Sequence, residues 1–530
     1  MSVASDDPPA DSKPLNFLVF LTDQQRADHV GFGGNPDLQT PNLDALARRS
    51  VVFDRAHVAS PVCMPSRASL ITGRMPSAHG TRINGISLDW DAATFPRVLK
   101  RAGWRTIHVG KAHWQNMGWG AHEIAGALGS TLAGDAVERD RPAGWNTWED
   151  MERHRREWVE VPPDFYGFER VELVSGHSDY ASGHYYQWAR ERGVELDDVR
   201  GRERAARRYD GWDQIYQSSL PEELYPTSYV TERAVANLEE CARDERPFLL
   251  HCSYPDPHHP FTPPGRFYDL YDPAELALPP TFDDPHTRSM PHIRWIHERR
   301  GTQQLHPMML WAPTEDQLRH ALAAEYGMIT MIDESVGTIL QALSRLGLAD
   351  RTVVVFTSDH GDMFGDHGLL LKLNVSYQAC LRVPLLVHVP GLAPGRRDAL
   401  VSGIDLAPTV LGLAGCAGYR GLQGKSMEPL LEAAAPGVRD HLVVEEDRLQ
   451  GIPGLPTPTR IRTVVTESAR LTLYQGVEGG ELFDLASDPA ELENRFDDRG
   501  SRSLRSAMSE TLLAGMLELY DDGVAPTDSA

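Results

Sequence analysis

Lysine is almost missing from this chain of 530 residues: only five of its 52 basic residues are lysines (Lys13, Lys100, Lys111, Lys372, Lys425), and the rest are arginines. Cysteine is equally scarce. Cys63, Cys241, Cys252, Cys380 and Cys416 are odd in number and widely spaced, which excludes a disulfide framework and paired zinc spacings. That usage suits a reducing compartment, and the cytoplasm is the expected location. No stretch reaches about 18 consecutive apolar residues, so no transmembrane helix is expected. The first 14 residues are acidic and proline-rich, and the next apolar run, Phe17–Leu21, is too short for a signal peptide and reads as a strand. Positive charge is in deficit, 52 Lys+Arg against 75 Asp+Glu. Nucleic acid and anionic membranes select basic faces and are therefore not expected partners. A local basic pocket for one anion stays open. There is no internal repeat, and nothing in the sequence sets the oligomeric state, so a homo-oligomer is compatible with it.

Short β-branched runs alternate with helical stretches, the pattern of an α/β fold with a large, mostly parallel sheet flanked by helices. Four runs end in a particular kind of polar residue. Asn16–Thr22 leads into Asp23-Gln24, and Arg105–Gly110 into Lys111-Ala-His113. Pro247–Tyr254 leads into Pro257-His258-His259, and Thr352–Ser358 into Asp359-His360. Ligands of parallel sheets bind along the edge formed by strand carboxyl ends. Together these endings supply carboxylates, an amide, imidazoles and an ammonium, which points to one site.

Thr314–Leu346 has helical periodicity, stops at Gly347 and predicts a long helix packed on the sheet. Residues 114–230 are irregular and aromatic, and read either as an insertion forming a lid or pocket wall, with Trp114 and His184 as candidate contacts to substrate, or as structural decoration. After about Gly415 the runs become short and alternating (Arg460–Val465, Arg470–Tyr474), followed by a helix around Ser503–Tyr520. The expected organisation is a disordered tail over 1–14, a catalytic α/β domain over 15–415 and a small antiparallel α+β subdomain over 416–530.

The segment Ser60-Pro-Val-Cys63-Met-Pro65-Ser66-Arg67-Ala-Ser-Leu-Ile-Thr72-Gly73-Arg74 carries the sharpest signal. Pro65 suits the first turn of a helix, which predicts Cys63 just before a helix N-terminus, where backbone N–H groups favour an anion. A cysteine phosphatase needs five residues between nucleophile and arginine. Here three intervene, which excludes it.

Cys-x-Pro-Ser-Arg with the Leu-x-Thr-Gly-Arg extension resembles the signature of the type I sulfatases of the alkaline phosphatase superfamily. Thr22-Asp-Gln, Thr40-Pro-Asn-Leu-Asp44, Val109-Gly-Lys-Ala-His113, Pro257-His-His-Pro-Phe261, Ser358-Asp-His-Gly361, Asp405-Leu-Ala-Pro-Thr409 and Glu481-Leu-Phe-Asp-Leu, with Asp488-Pro-x-Glu-x-x-Asn494 after it, resemble family blocks in family order over residues 15–500. The resemblance implies an alkaline phosphatase-like fold and a sulfuric-ester hydrolase. Cys63 is then oxidised by a formylglycine-generating enzyme to Cα-formylglycine, whose hydrate attacks the ester. Asp23, Gln24, Asp359 and His360, with an oxygen of modified Cys63, are the implied ligands of a divalent cation. Arg67 holds the aldehyde hydrate, and Lys111 and Lys372 clamp sulfate oxygens. His113 assists breakdown of the sulfated intermediate, and His258 protonates or stabilises the leaving oxygen.

This cast suits the chemistry, because an anionic ester needs charge neutralisation before it needs basicity. Three oxygen-donor side chains favour Ca²⁺, and the imidazole makes Mn²⁺ easier to accommodate. Gln24 and His360 stand where many arylsulfatases have Asp and Asn, a pattern resembling choline sulfatases and phosphonate monoester hydrolases. A phosphonate monoester or phosphodiester hydrolase is therefore the alternative, and a metal-binding protein with unmodified Cys63 a third reading. Singly, His251, His259, His367, Asp333, Asp362 and Asp366 read as structural.

Overall fold

A computed structural model describes residues 13–118, 141–303, 305–449 and 451–525. Most of the expected N-terminal tail, and part of the aromatic 114–230 region, lie outside the described residues.

The strands in chain order are β1 (Asn16–Thr22), β2 (Val51–His57), β3 (Arg105–Gly110), β4 (Arg170–Ser175) and β5 (Ser182–Gly183). A minor pair, β6 (Arg207–Arg208) and β7 (Tyr216–Gln217), comes next, then β8 (Phe248–Ser253), β9 (Thr352–Ser358), β10 (Leu385–His388) and β11 (Gly395–Ser402). Nine of them form one sheet in the order β11-β2-β10-β9-β1-β8-β3-β4-β5. Its centre is parallel, and β10 and β5 run antiparallel to their neighbours.

Strand β1 shows why helices cover both faces. Alternate residues point to opposite sides of a strand, and here both sides are apolar. Leu18 and Phe20 belong to a core with Leu238, Ile332 and Val336, whereas Phe17, Val19 and Leu21 belong to another with Ala68, Ile71 and Leu411. The Pro226–Cys241 and Glu315–Arg345 helices supply the first core. The Cys63–Thr72 and Leu406–Leu413 helices supply the second. The long helix starts where the sequence indicated, in a reciprocal cap. Thr314 Oγ1 accepts from the Gln317 amide at 3.3 Å, and Gln317 Oε1 accepts from the Thr314 amide at 2.8 Å.

Beyond residue 416 lies a four-stranded antiparallel sheet, β12 (His441–Arg448), β13 (Thr459–Thr466), β14 (Ala469–Tyr474) and β15 (Gly480–Asp484). The Arg502–Glu518 helix closes one face, with Met508 and Leu512 against Val443, Val464 and Leu471. Strand β12 is tied to the large sheet's site. The Glu445 amide donates to the Ala59 carbonyl at 2.9 Å, and Glu446 Oε1 accepts from the Asn374 amide at 2.7 Å. Among the described residues no helix is long and apolar enough to cross a membrane.

Candidate active site

Five neighbouring strands, β9-β1-β8-β3-β4, end on the same edge. The four endings singled out in the sequence are all among them, so Asp23, Asp359, Lys111 and His258 converge although up to 336 residues separate them. The fifth ending, Gly176-His177 after β4, was missed. It repeats the signal of the others, an extended run that stops at a polar residue able to bind a ligand, so it could have been found.

The Cys63–Thr72 helix meets this edge. Cys63 is its first residue rather than the residue before it, with Val62 as the N-cap. The helix ends at Gly73 in the left-handed region (φ 59°), where a Cβ would lie 2.4 Å from Leu422. The Thr72-Gly73-Arg74 extension therefore has a structural role: it terminates the helix, and Arg74 pairs with Asp521.

Cys63 is buried at the base of a cavity of about 490 Å³. Its Sγ lies 3.1 Å from His360 Nε2, 3.6 Å from Lys372 Nζ and 3.9 Å from Asp23 Oδ1. Burial disfavours the thiolate, but Lys372 and His360 outweigh that and bring the thiol below its ordinary range. Arg67, one turn along, spends its guanidinium on the protein. It donates to Asp359 Oδ2 at 2.7 Å, to Asp23 Oδ2 at 3.2 Å, and to the Lys111 carbonyl and Ser253 Oγ at 2.8 Å each. Lys111 also pairs with Asp23 Oδ2. Burial pushes the Asp23 carboxyl up, but Lys111 and Arg67 pull harder, and it ends well below the usual carboxylate range.

Each carboxylate thus turns one oxygen to basic groups and the other toward a common point. Asp23 Oδ1 and Asp359 Oδ1 lie 3.7 and 3.6 Å from His360 Nε2. His360 Nδ1 is 3.0 Å from the Gly361 carbonyl, which assigns the proton to that nitrogen and leaves Nε2 as a donor atom. One ligand atom from each of Asp23, Cys63, Asp359 and His360 lies within 4.8 Å of the others. Two hard oxygens and an imidazole around one point fit a divalent cation. Gln24 stands beside them with Oε1 2.5 Å from Lys372 Nζ.

Gln24 and His113 both hold left-handed backbone (φ 66° and 53°). Such residues cost of order 1 kcal/mol or more and cluster at functional sites. His113 is held by Glu149, whose two side-chain oxygens accept the backbone N–H groups of His113, Trp114 and Gln115. No local pattern marks Glu149 as a clamp for a loop 35 residues earlier.

His113, His177 and His258 line the cavity with Cys63 and Lys372. Among the described residues, His113 Nδ1, His177 Nε2 and His258 Nε2 are buried without a hydrogen-bond partner. His177 and His258 stack at 3.7 Å. Burial, and then the neighbouring lysines and histidines, hold all three imidazoles well below their ordinary range. Arg67 and Lys111 lie beneath this wall, against Asp23. Two residues read as structural also reach the site: Gln24 Nε2 is 2.7 Å from Asp362 Oδ2 and 3.1 Å from His259 Nδ1.

Trp114 and His184 need correction as substrate contacts. Trp114 is 1% exposed, stacks on Phe168 at 5.6 Å and donates Nε1 to the Arg67 carbonyl at 3.3 Å. His184 stacks on Trp158 at 4.4 Å and bonds the Leu173 amide and the Val159 carbonyl. Their aromatic surface fills core instead of facing the cavity. From this region the cavity wall is made by Asn116, Met117 and His177.

Against known families, residues 15–416 match the sulfatase model, and residues 365–517 match the model for the C-terminal region of N-sulphoglucosamine sulphohydrolase. The chain belongs to the sulfatase family. It is a sulfuric-ester hydrolase. The sulfatase is 27% identical to an arylsulfatase of Clostridium perfringens, over 96% of each chain. It is 27% identical to a choline-sulfatase of Rhizobium meliloti, over 90% of this chain and 82% of that one. Its fold is that of the phosphonate monoester hydrolase from Silicibacter pomeroyi (TM-score 0.77, 24% identity, 96% of each chain).

Proposed function

We propose that this sulfatase cleaves sulfate esters with a nucleophile made from Cys63, assisted by a divalent cation held by Asp23, Gln24, Asp359 and His360. The observation that carries the reading is the position of Cys63 Sγ, 3.1 Å from His360 Nε2 and 3.6 Å from Lys372 Nζ at the base of the cavity. A thiol there would compete poorly for hard oxyanion chemistry, whereas an oxygen at the same place serves it. The chemistry that an aldehyde hydrate supplies is a hydroxyl nucleophile with a second hydroxyl on the same carbon, so no water need attack sulfur. The chemistry that a cation supplies is neutralisation of the ester's charge and activation of that hydroxyl.

The chain's own groups do the remaining work. Lys372 offers its ammonium to a sulfate oxygen, and Lys111 holds Asp23 ionised and adds positive charge beneath it. His258 Nδ1 faces its neighbour's carbonyl, which leaves Nε2 toward the cavity. An anionic ester raises the proton affinity of that imidazole on binding. His258 then delivers a proton to the leaving oxygen, and His113 takes one during turnover of the intermediate. The donor set favours Ca²⁺, with Mn²⁺ accommodated by His360. Maturation requires a formylglycine-generating enzyme as partner, and the unpaired cysteines suit a cytoplasmic location.

The Gln24–His360 pair supports a second reading, hydrolysis of phosphonate monoesters or phosphodiesters on the same residues. Two measurements decide. Peptide mass across residue 63 should show the aldehyde, and an aryl sulfate should be turned over faster than an aryl phosphonate. Faster phosphonate turnover selects the second reading. Full activity with an unmodified thiol overturns the nucleophile.

A further inference from the structure

Among the described residues, five arginines are at least nine-tenths buried: Arg26, Arg67, Arg200, Arg448 and Arg470. Four are neutralised. Arg26 meets Asp28 and Asp366, Arg67 meets Asp23 and Asp359, Arg200 meets Asp197, and Arg470 meets Glu481 and Glu491. Arg448 is the exception. Among the described residues its guanidinium makes no ion pair and no hydrogen bond, and Nε is buried with no partner at all. A guanidinium so placed gives up part of its hydration without gaining a hydrogen-bonded counter-charge, and Glu446 acts on it only from beyond ion-pair distance.

Its position gives that cost a purpose. Arg448 is the last residue of β12, the strand anchored beside the Cys63 helix, and it lines the same cavity as Cys63 and Lys372. Glu446, two residues earlier and on the same strand face, forms no ion pair with it. One Glu446 oxygen is taken by the Asn374 amide, and burial pushes the carboxyl up to about 7. Much of the rest of the wall is apolar and adaptable (Met64, Ile83, Met308, Met309 and Leu373), with Asn84, Asn116 and His306 as its polar groups. The reacting sulfate already has Lys372 and three imidazoles around it. Arg448 adds a further fixed positive charge, on the side of the cavity made by the small C-terminal sheet.

We propose that Arg448 is a specificity-determining residue that receives a second oxyanion on the organic part of the substrate, so that the preferred substrates are sulfate esters carrying a carboxylate or another sulfate. The planar fork of a guanidinium pairs with either group through two parallel hydrogen bonds. The inference rests on the sulfatase reading above and deepens it, by excluding cationic and neutral alcohols as preferred leaving groups.

The test uses mature enzyme with phenyl sulfate, the three carboxyphenyl sulfates and the matching benzenediol disulfates. At least one dianion should exceed phenyl sulfate in kcat/KM by about 10-fold or more, the factor a charge-assisted contact supplies. The carboxylate and disulfate arms tell which oxyanion is received. Arg448→Met should collapse the ratio of dianion to phenyl sulfate kcat/KM, and Arg448→Lys should restore part of it. That ratio does not depend on how much of a variant folds. Turnover of phenyl sulfate with no dianion preference overturns this inference alone. An equal loss on all substrates in Arg448→Met also overturns it, by assigning Arg448 to the reacting sulfate or to the scaffold. Turnover of no sulfate ester overturns the parent reading as well.

Discussion

Gln24 donates its side-chain N–H to Asp362 Oδ2 at 2.7 Å, and this bond fixes which end of the amide faces the cation site. Asp362 is itself immobilised, because its other oxygen accepts the backbone N–H groups of Phe364 and Leu371 at 2.8 and 2.9 Å. Gln24 Oε1 is thereby turned to Lys372 Nζ, 2.5 Å away. Asp362→Asn sets a donor against a donor and favours the flipped amide. Metal affinity should fall by about 10- to 100-fold, measured by titrating Ca²⁺ into metal-stripped protein. An unchanged affinity would remove Gln24 from the ligand set.

Cys63→Ala should abolish turnover and leave the melting temperature within a few degrees of wild type. The side chain is small, and the helix it begins is buried along its whole length. Calorimetry and an aryl sulfate assay read the two effects separately. Retained turnover would place the nucleophile elsewhere.

Lys111→Arg and Lys372→Arg keep the charge, yet each should lower kcat/KM by at least about 10²-fold, about 2.7 kcal/mol of transition-state stabilisation. With five lysines among 52 basic residues, finding lysine at both positions by chance is roughly a one-in-a-hundred event. Lys111 is fully buried against Asp23, where Arg67 already occupies the other side of the same oxygen. A compact ammonium fits there and a wide guanidinium does not. Near-normal kinetics in both variants would refute the argument.

Glu149 should make stability depend on pH. Burial pushes its carboxyl up to about 7, against the pull of three backbone N–H groups. An acid whose pKa is raised by folding stays protonated in the native state while it ionises in the unfolded chain. Below about pH 4.5 the two states bind the same proton and no effect exists. Between about 4.5 and 7 the native state binds more protons, so stability falls as pH rises. The full difference is about 3 kcal/mol above pH 7. Unfolding wild type and Glu149→Gln across pH 4–8 should show wild type losing ground to the variant over that window. Parallel curves would show that Glu149 ionises normally.

The chain's local chemistry was enough for the large sheet, the capped Glu315–Arg345 helix and the four polar strand ends. Each depends on features within a few residues: β-branched runs, a Thr-x-x-Gln cap, a polar residue where a strand stops. The parallel order then had only to bring those ends to one edge, as connection rules for α/β sheets require. Other features were decided by tertiary structure. Whether an aromatic side chain faces core or cavity depends on what packs over it, so the density of rings around Trp114 and His184 misled. Glu149 and Asp362 act by bonding backbone and amide groups 34 to 338 residues away. The unpaired state of Arg448 is more distant still from local pattern. It exists because β12 is docked beside the Cys63 helix with Glu446 close enough to act on the guanidinium but not to pair with it, and a contact that is absent leaves no mark in a sequence.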